Sequence, residues 1–264
     1  MEEMYKTFNL DSYISFGFKK LYELFIDRCR KEKITNKDLR IKFANEKIYI
    51  GSINVDVYID KIIKIHGSPK YNAPSEINFF IVNGVNQKYE NGACWFEMTY
   101  NPLRHNIVYV TWDIINPELD ISFDNAISHE TQHIIRSMYK KIETFAPEDV
   151  NKNRYYVSDQ EIVATCYQII KSSLNDITSF YQARIKDIKD KNDIKSIISK
   201  MELNKEPFIK LILNSKIKRF LDKALIKTGE ALTEEQKNNY YEIARKGFED
   251  LYNDVVNRFK RIGF

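Results

Sequence analysis

The sequence predicts an α+β protein, with a small, mostly antiparallel sheet in the N-terminal half and a helical C-terminal half. Three observations predict it. Short β-rich runs separated by turn dipeptides are confined to residues 47–112, and after Asn116-Pro117 the apolar period becomes helical and stays so. No uninterrupted apolar run approaches the roughly 18 residues that would span a bilayer. With 264 residues the chain can bury a sizeable core without covalent staples.

The first element is a helix from about Ser12 to Arg30, with Tyr13, Phe16, Leu21, Leu24 and Phe25 at helical spacing and Asp11 or Ser12 as its cap. Four strands follow, Ile48 to Ile53, Ile77 to Val82, Ala93 to Tyr100 and Asn106 to Trp112. Asn83-Gly84, Asn91-Gly92 and Asn101-Pro102 are the turn signals between them. The helical half opens with Ser122 to about Lys141, continues with Ser158 to about Ser172, and includes several further helices. The last opens at Thr233-Glu234-Glu235-Gln236, a capping-box sequence, and runs towards Arg261. No internal repeat, low-complexity tract or flexible linker interrupts this order.

Composition narrows the function classes. Hydrophobic residues make up 43% and charged residues 30%, far from the balance that keeps chains disordered. Residues 184–227 hold thirteen Lys/Arg against six Asp/Glu, a local +7 within a net charge of +4. These cations recur at helical spacing among Ile, Leu and Phe, so they read as a solvated helix face, and no nucleic-acid function is assigned to them. Cys29, Cys94 and Cys166 are too few and too scattered for a disulfide framework, which fits a reducing compartment. The opening Met-Glu-Glu-Met-Tyr-Lys has no basic region followed by an apolar run, so a cytoplasmic location without membrane attachment is expected.

Residues 129 to 133 read His-Glu-Thr-Gln-His. Positions i and i+4 of a helix share one face, so His129 and His133 can direct two imidazole nitrogens at one ion. Glu130, next along, can reach a water on that ion without being a ligand itself. The residue types suit the chemistry: neutral imidazole binds zinc, zinc brings the pKa of a bound water to about 7, and a carboxylate can move the proton. The chain has only four histidines, and a chance match to this pattern is on the order of one per cent or less. The motif also falls within an apolar-periodic helix, marked by Phe123, Ala126, Ile127, Ile134 and Met138 and opened by Ser122 and Asp124. The bland alternative is two satisfied histidines on a half-buried helix.

This segment resembles the active-site helix of the zincin metallopeptidases. Arg136 and Tyr139 stand where the metzincin branch has a glycine and a third histidine, so the resemblance is to the gluzincin branch, including compact bacterial and phage families. In that branch a glutamate on a second, downstream helix completes the zinc site. The matching position is Glu161, in Ser158-Asp159-Gln160-Glu161-Ile162-Val163-Ala164, with 27 residues between it and His133. The resemblance covers roughly Ser122 to Ile170, about a fifth of the chain. Ser158-x-x-Glu161 is equally a capping box, in which the glutamate would bond back to the cap residue. Glu143, Glu148, Asp149 and Asp159 are the other candidate ligands. Thr165 shares the face of Glu161 where gluzincins often have an aspartate that supports a ligating histidine.

The resemblance implies a zinc-dependent peptidase acting on a peptide or protein, with Glu130 as general base. It also implies a Tyr, His or Arg beside the developing oxyanion, for which Tyr156 is the choice, with Tyr155, His105 and His66 as alternatives. In zincins a strand bordering the cleft pairs with extended substrate, and the strands 93–100 and 106–112 are the two nearest the motif. The expected organisation is a helix-and-sheet lobe over residues 1–120, metal-binding helices over 121–175 and a helical subdomain over 176–264. Two other readings stay open. One is a zincin-like binding or regulatory protein without turnover. The other is a deformylase-like amidase in which Cys94, in Gly92-Ala93-Cys94-Trp95, is the third ligand.

Overall fold

The computed structural model describes residues 4–7, 9–42, 46–84, 91–100, 103–117, 119–141, 158–186, 188, 190–225 and 229–262. The architecture is α+β, with one four-stranded sheet in the N-terminal half and a helical C-terminal half. Two units emerge from the chain, Thr7–Thr144 and a second made of Met1–Lys6 with Phe145–Phe264. No helix among the described residues is long and apolar enough to cross a membrane.

The first unit contains α1 (Leu10–Lys31), α2 (Asn36–Lys42), β1 (Ile48–Asn54), α3 (Asp56–His66), β2 (Glu76–Asn83), β3 (Cys94–Tyr100), β4 (Leu103–Thr111) and α4 (Ile121–Tyr139). The sheet order is β1-β2-β4-β3. β1 with β2 and β3 with β4 are antiparallel, whereas β2 and β4 are parallel. The expectation of a mostly antiparallel sheet thus holds for two of its three pairings, and it is β3 that lies at an edge. Asn101-Pro102, the expected turn between β3 and β4, falls outside the described residues.

Alternation along the strands builds the core. Phe79 on β2 and Tyr109 on β4 meet Phe18 of α1 at ring-centroid distances of 5.3 and 5.7 Å. Phe123 of α4 closes the cluster, 4.9 Å from Phe18 and 5.1 Å from Tyr109. Such edge-on and tilted rings add about 0.5–1.5 kcal/mol per pair beyond the area they bury. Two glycines allow the close approach of α1 to β1. A Cβ on Gly17 would come 2.8 Å from Ile53 Cγ2. Gly51 sits at φ +143° where the β1–β2 register shifts, and a Cβ there would meet Leu21 Cδ2 at 2.8 Å.

Two expectations for this half are corrected. Helix α1 buries Leu10, Ile14, Phe18, Tyr22 and Ile26, whereas Phe16 and Leu24 of the expected apolar set are exposed. Its cap is neither Asp11 nor Ser12 but Asn9, in the left-handed region at φ 67°. Asp11 is buried inside the first turn, where it accepts from Thr7 Oγ1 at 3.3 Å and from Ser128 Oγ of α4 at 3.2 Å. A short buried carboxylate with two hydroxyl partners serves better as a tie between helices than as an end cap. The second correction is α3, which interrupts the β-rich stretch. Its Val57, Ile59, Ile62, Ile63 and Ile65 favour strands locally, but burial falls on Ile59 and Ile62, three apart, so packing overrides propensity.

The second unit contains α5 (Asp159–Ile185), α6 (Lys191–Leu203), α7 (Lys205–Ile212), a π-helical turn (Leu213–Ile217), α8 (Lys218–Leu221) and α9 (Glu234–Ile262). Helix α5 runs thirteen residues beyond the expected end at Ser172, because its apolar stripe continues through Leu174 and Ile177. That stripe packs with Tyr240, Ala244, Phe248, Tyr252, Val256 and Phe259 of α9. The capping box at the start of α9 is reciprocal: Gln236 N donates to Thr233 Oγ1 at 3.2 Å and Thr233 N to Gln236 Oε1 at 2.9 Å. Along the basic stretch, Lys195, Lys200, Lys210 and Lys218 are exposed while Ile198, Ile209, Ile212 and Ile217 are buried.

Candidate metal centre

Helix α4 carries the histidine motif, and its start is set by Asp120 rather than Ser122. Asp120 Oδ1 accepts from Ser122 N at 2.9 Å, Ser122 Oγ at 2.7 Å and Phe123 N at 3.3 Å. The Ser122 hydroxyl bond and these amides hold the Asp120 carboxyl below the usual carboxylate range. A depressed folded-state pKa means that the cap's contribution is complete above the unfolded value and is lost as pH falls through the folded one. In Asp120→Asn, which can still cap, melting temperature is expected to lose this component of its acid dependence. Thermal scans of both proteins from neutral pH downward would check it, and parallel curves would contradict it.

The helix is fixed from beneath by Ile127, Ile134, Ile135 and Met138, all fully buried. Its small polar residues bond back to the backbone, Thr131 Oγ1 to Ile127 O at 2.7 Å and Ser137 Oγ to Ile134 O at 2.6 Å. Ile127→Val is expected to cost about 1 kcal/mol of stability in urea titrations while leaving metal content unchanged. A change in metal content at equal folding would show that this core residue acts on the site.

On the opposite side of that support, one turn separates the two imidazoles. His129 Nε2 and His133 Nε2 are 3.0 Å apart, with ring centroids at 4.8 Å. His133 is buried and His129 half-buried. One ligand atom each from His129, His133 and Glu161 fall within 4.8 Å of one another. Two donors held tetrahedrally about 2.0–2.1 Å from one zinc lie roughly 3.3 Å apart. The 3.0 Å imidazole pair matches that spacing, and with the Glu161 carboxylate oxygen within 4.8 Å the three residues form a group that could hold one metal ion.

Glu161 lies in the first turn of α5, where the serine half of the expected capping box is present: Glu161 N donates to Ser158 Oγ at 3.4 Å. Its carboxylate oxygen is the one grouped with the imidazoles. Asp159 accepts a hydrogen bond from the Tyr240 hydroxyl and is not in the group. Nor is Cys94, whose thiol is pushed well above its usual range by burial and by the nearby Glu130 carboxylate. Thr165 lies on α5, four residues after Glu161. Glu143, Glu148, Asp149, Tyr155 and Tyr156 lie outside the described residues.

Glu130 is 7% exposed, and its Oε2 accepts from the backbone N–H of Phe96 at 2.8 Å. An edge strand thus orients the carboxylate that follows the first histidine. Phe96 in turn stacks on His105 of β4, ring centroids 5.9 Å apart. His105 is 4% exposed, its Nε2 has no hydrogen-bond partner among the described residues, and burial pushes its pKa down to about 4, so the ring is neutral at pH 7. His66, at the end of α3, packs edge-on against Tyr139. Neither histidine joins the grouped ligands. The Phe96 amide leaves no trace in the sequence, because a backbone donor is marked only by its place in a sheet.

Compared with known proteins, the chain matches no protein-family model, no curated protein and no solved structure.

Proposed function

We propose that this chain is a zinc-dependent metallohydrolase, and that its reaction is hydrolysis of peptide bonds. The observation that carries the reading is the convergence of His129, His133 and Glu161 within 4.8 Å, with Glu130 adjacent on the same helix. Two imidazoles and one carboxylate are a zinc donor set that leaves a position for solvent or substrate. A zinc ion bound there supplies Lewis acidity, which polarises a carbonyl and lowers the pKa of a water to about 7.

The chain's own residues do the rest. Glu130, oriented through Oε2 by Phe96 N–H, takes the proton of the attacking water and hands it to the departing amine. The outer edge of β3, already in register to orient Glu130, is where an extended substrate backbone would add as a further strand. Tyr156 is the proposed oxyanion donor, and the cytoplasm the proposed compartment. Of the two strands considered for substrate, β3 is favoured because β4 is flanked on both sides by strands.

A second reading is a metal-binding protein without turnover, and the burial of Glu130 against a backbone amide is the observation that favours it. A zinc-loaded sample incubated with a quenched-fluorescent peptide library separates the two. Hydrolysis abolished by chelation and restored by zinc supports the peptidase. Full metal occupancy with no cleavage of any peptide supports the binding protein.

A further inference from the structure

Helix α5 offers two carboxylates in its first turn, Asp159 and Glu161, and only one is grouped with the imidazoles. Residues two apart on a helix project about 200° from each other, so the two cannot serve the same face. Asp159 is held by Tyr240 of α9, whose hydroxyl donates a hydrogen bond to Asp159 Oδ1. Tyr240 is 5% exposed and is itself immobilised in the core of the helical unit, between α5 and α9. In the same turn Glu161 N donates a long hydrogen bond to Ser158 Oγ at 3.4 Å.

We propose that Tyr240 is a positioning residue for the metal centre. By fastening Asp159 to α9 it sets the rotation of the first turn of α5, which points Glu161 at the imidazoles and withholds Asp159 from the ion. This rests on the assignment of His129, His133 and Glu161 as ligands. The tie joins residues 81 apart in sequence, so the far end of the chain selects which carboxylate of a local pair becomes a ligand.

Zinc affinity of the full chain, measured by competition with a chromophoric chelator, tests the idea. Tyr240→Phe keeps the ring in its packing and removes only the hydroxyl, and it is expected to weaken zinc about 10-fold, in the range of 10–100-fold seen for partners that orient a ligand. Asp159→Ala reaches the same loss from the exposed end of the bond, which covers the case in which Tyr240→Phe misfolds. The double variant is expected to lose no more than either single one, because both remove one interaction. Asp159→Asn, which keeps an acceptor oxygen, is expected to stay within about twofold of the parent. Wild-type affinity in Tyr240→Phe and Asp159→Ala would overturn the positioning role while leaving the metal centre intact. Lowered melting temperature with unchanged affinity would do the same, reducing the bond to a structural one. A parent chain that binds no zinc would overturn both this inference and the ligand assignment beneath it.

Discussion

His133→Ala is expected to lower bound zinc from about one ion per chain to almost none after gel filtration, measured by elemental analysis. His133 supplies one of three grouped donor atoms, and its Nε2 is 3.0 Å from that of His129. Losing a ligand removes a metal bond outright, so affinity should fall by more than the roughly 10–100-fold lost with an outer hydrogen-bond partner. The stability consequence follows by mass action. A native state bound at about 1,000 times Kd gains roughly 4 kcal/mol that the variant cannot gain, so added zinc should raise the melting temperature of the parent and not of His133→Ala. In chelator the two should melt much closer together, because the remaining cost is that of truncating one ring. Zinc retained at one ion per chain in a folded His133→Ala protein would remove the imidazole pair from the site. His129→Ala is the matching control and should behave alike.

How much of this was legible beforehand follows from the range over which each interaction acts. The strands emerge within a residue or three of their expected limits, because alternation and turn chemistry are local signals. The His129-Glu130-His133 constellation is equally local, since one helical turn determines it. The buried face of α1 was not legible. Phe16 and Leu24 are as apolar as Ile14 and Phe18, and only the position of the sheet decides which stripe is covered. The parallel pairing of β2 with β4 is likewise set by chain path rather than by any strand's composition. At the site, Ser158-x-x-Glu161 supports a cap and a ligand with the same letters, and what distinguishes them is where the carboxylate points. The Phe96 amide and the Tyr240 hydroxyl join residues 34 and 81 apart in the chain, and no periodicity reports such pairs.

Glu130→Gln is expected to retain zinc and to lose peptide hydrolysis by about 10²–10⁴-fold in kcat, equivalent to roughly 3–5 kcal/mol of barrier. The substitution is informative because it separates position from basicity. Glutamine has nearly the same shape, and its amide oxygen can still accept from Phe96 N–H, the bond that Glu130 Oε2 makes at 2.8 Å. The side chain should therefore stay seated against β3, and the buried amide should stay satisfied. What disappears is the ability to take a proton from water and return it to the departing amine. If the carboxylate served only as a structural anchor for β3, Gln would preserve activity along with stability. Measuring metal content, melting temperature and kcat on one preparation distinguishes these outcomes: full zinc and a native melting curve with kcat near background identifies the base. Parental kcat in the same sample would reduce Glu130 to an anchor and require another proton acceptor. A complementary change, Glu130→Ala, removes both the acceptor and the base, so it should destabilise the protein as well, leaving the Phe96 N–H without this partner. The contrast between Gln, which should lose only chemistry, and Ala, which should lose chemistry and stability, is what a carboxylate seated on an edge strand beside two histidines that could hold a metal ion demands.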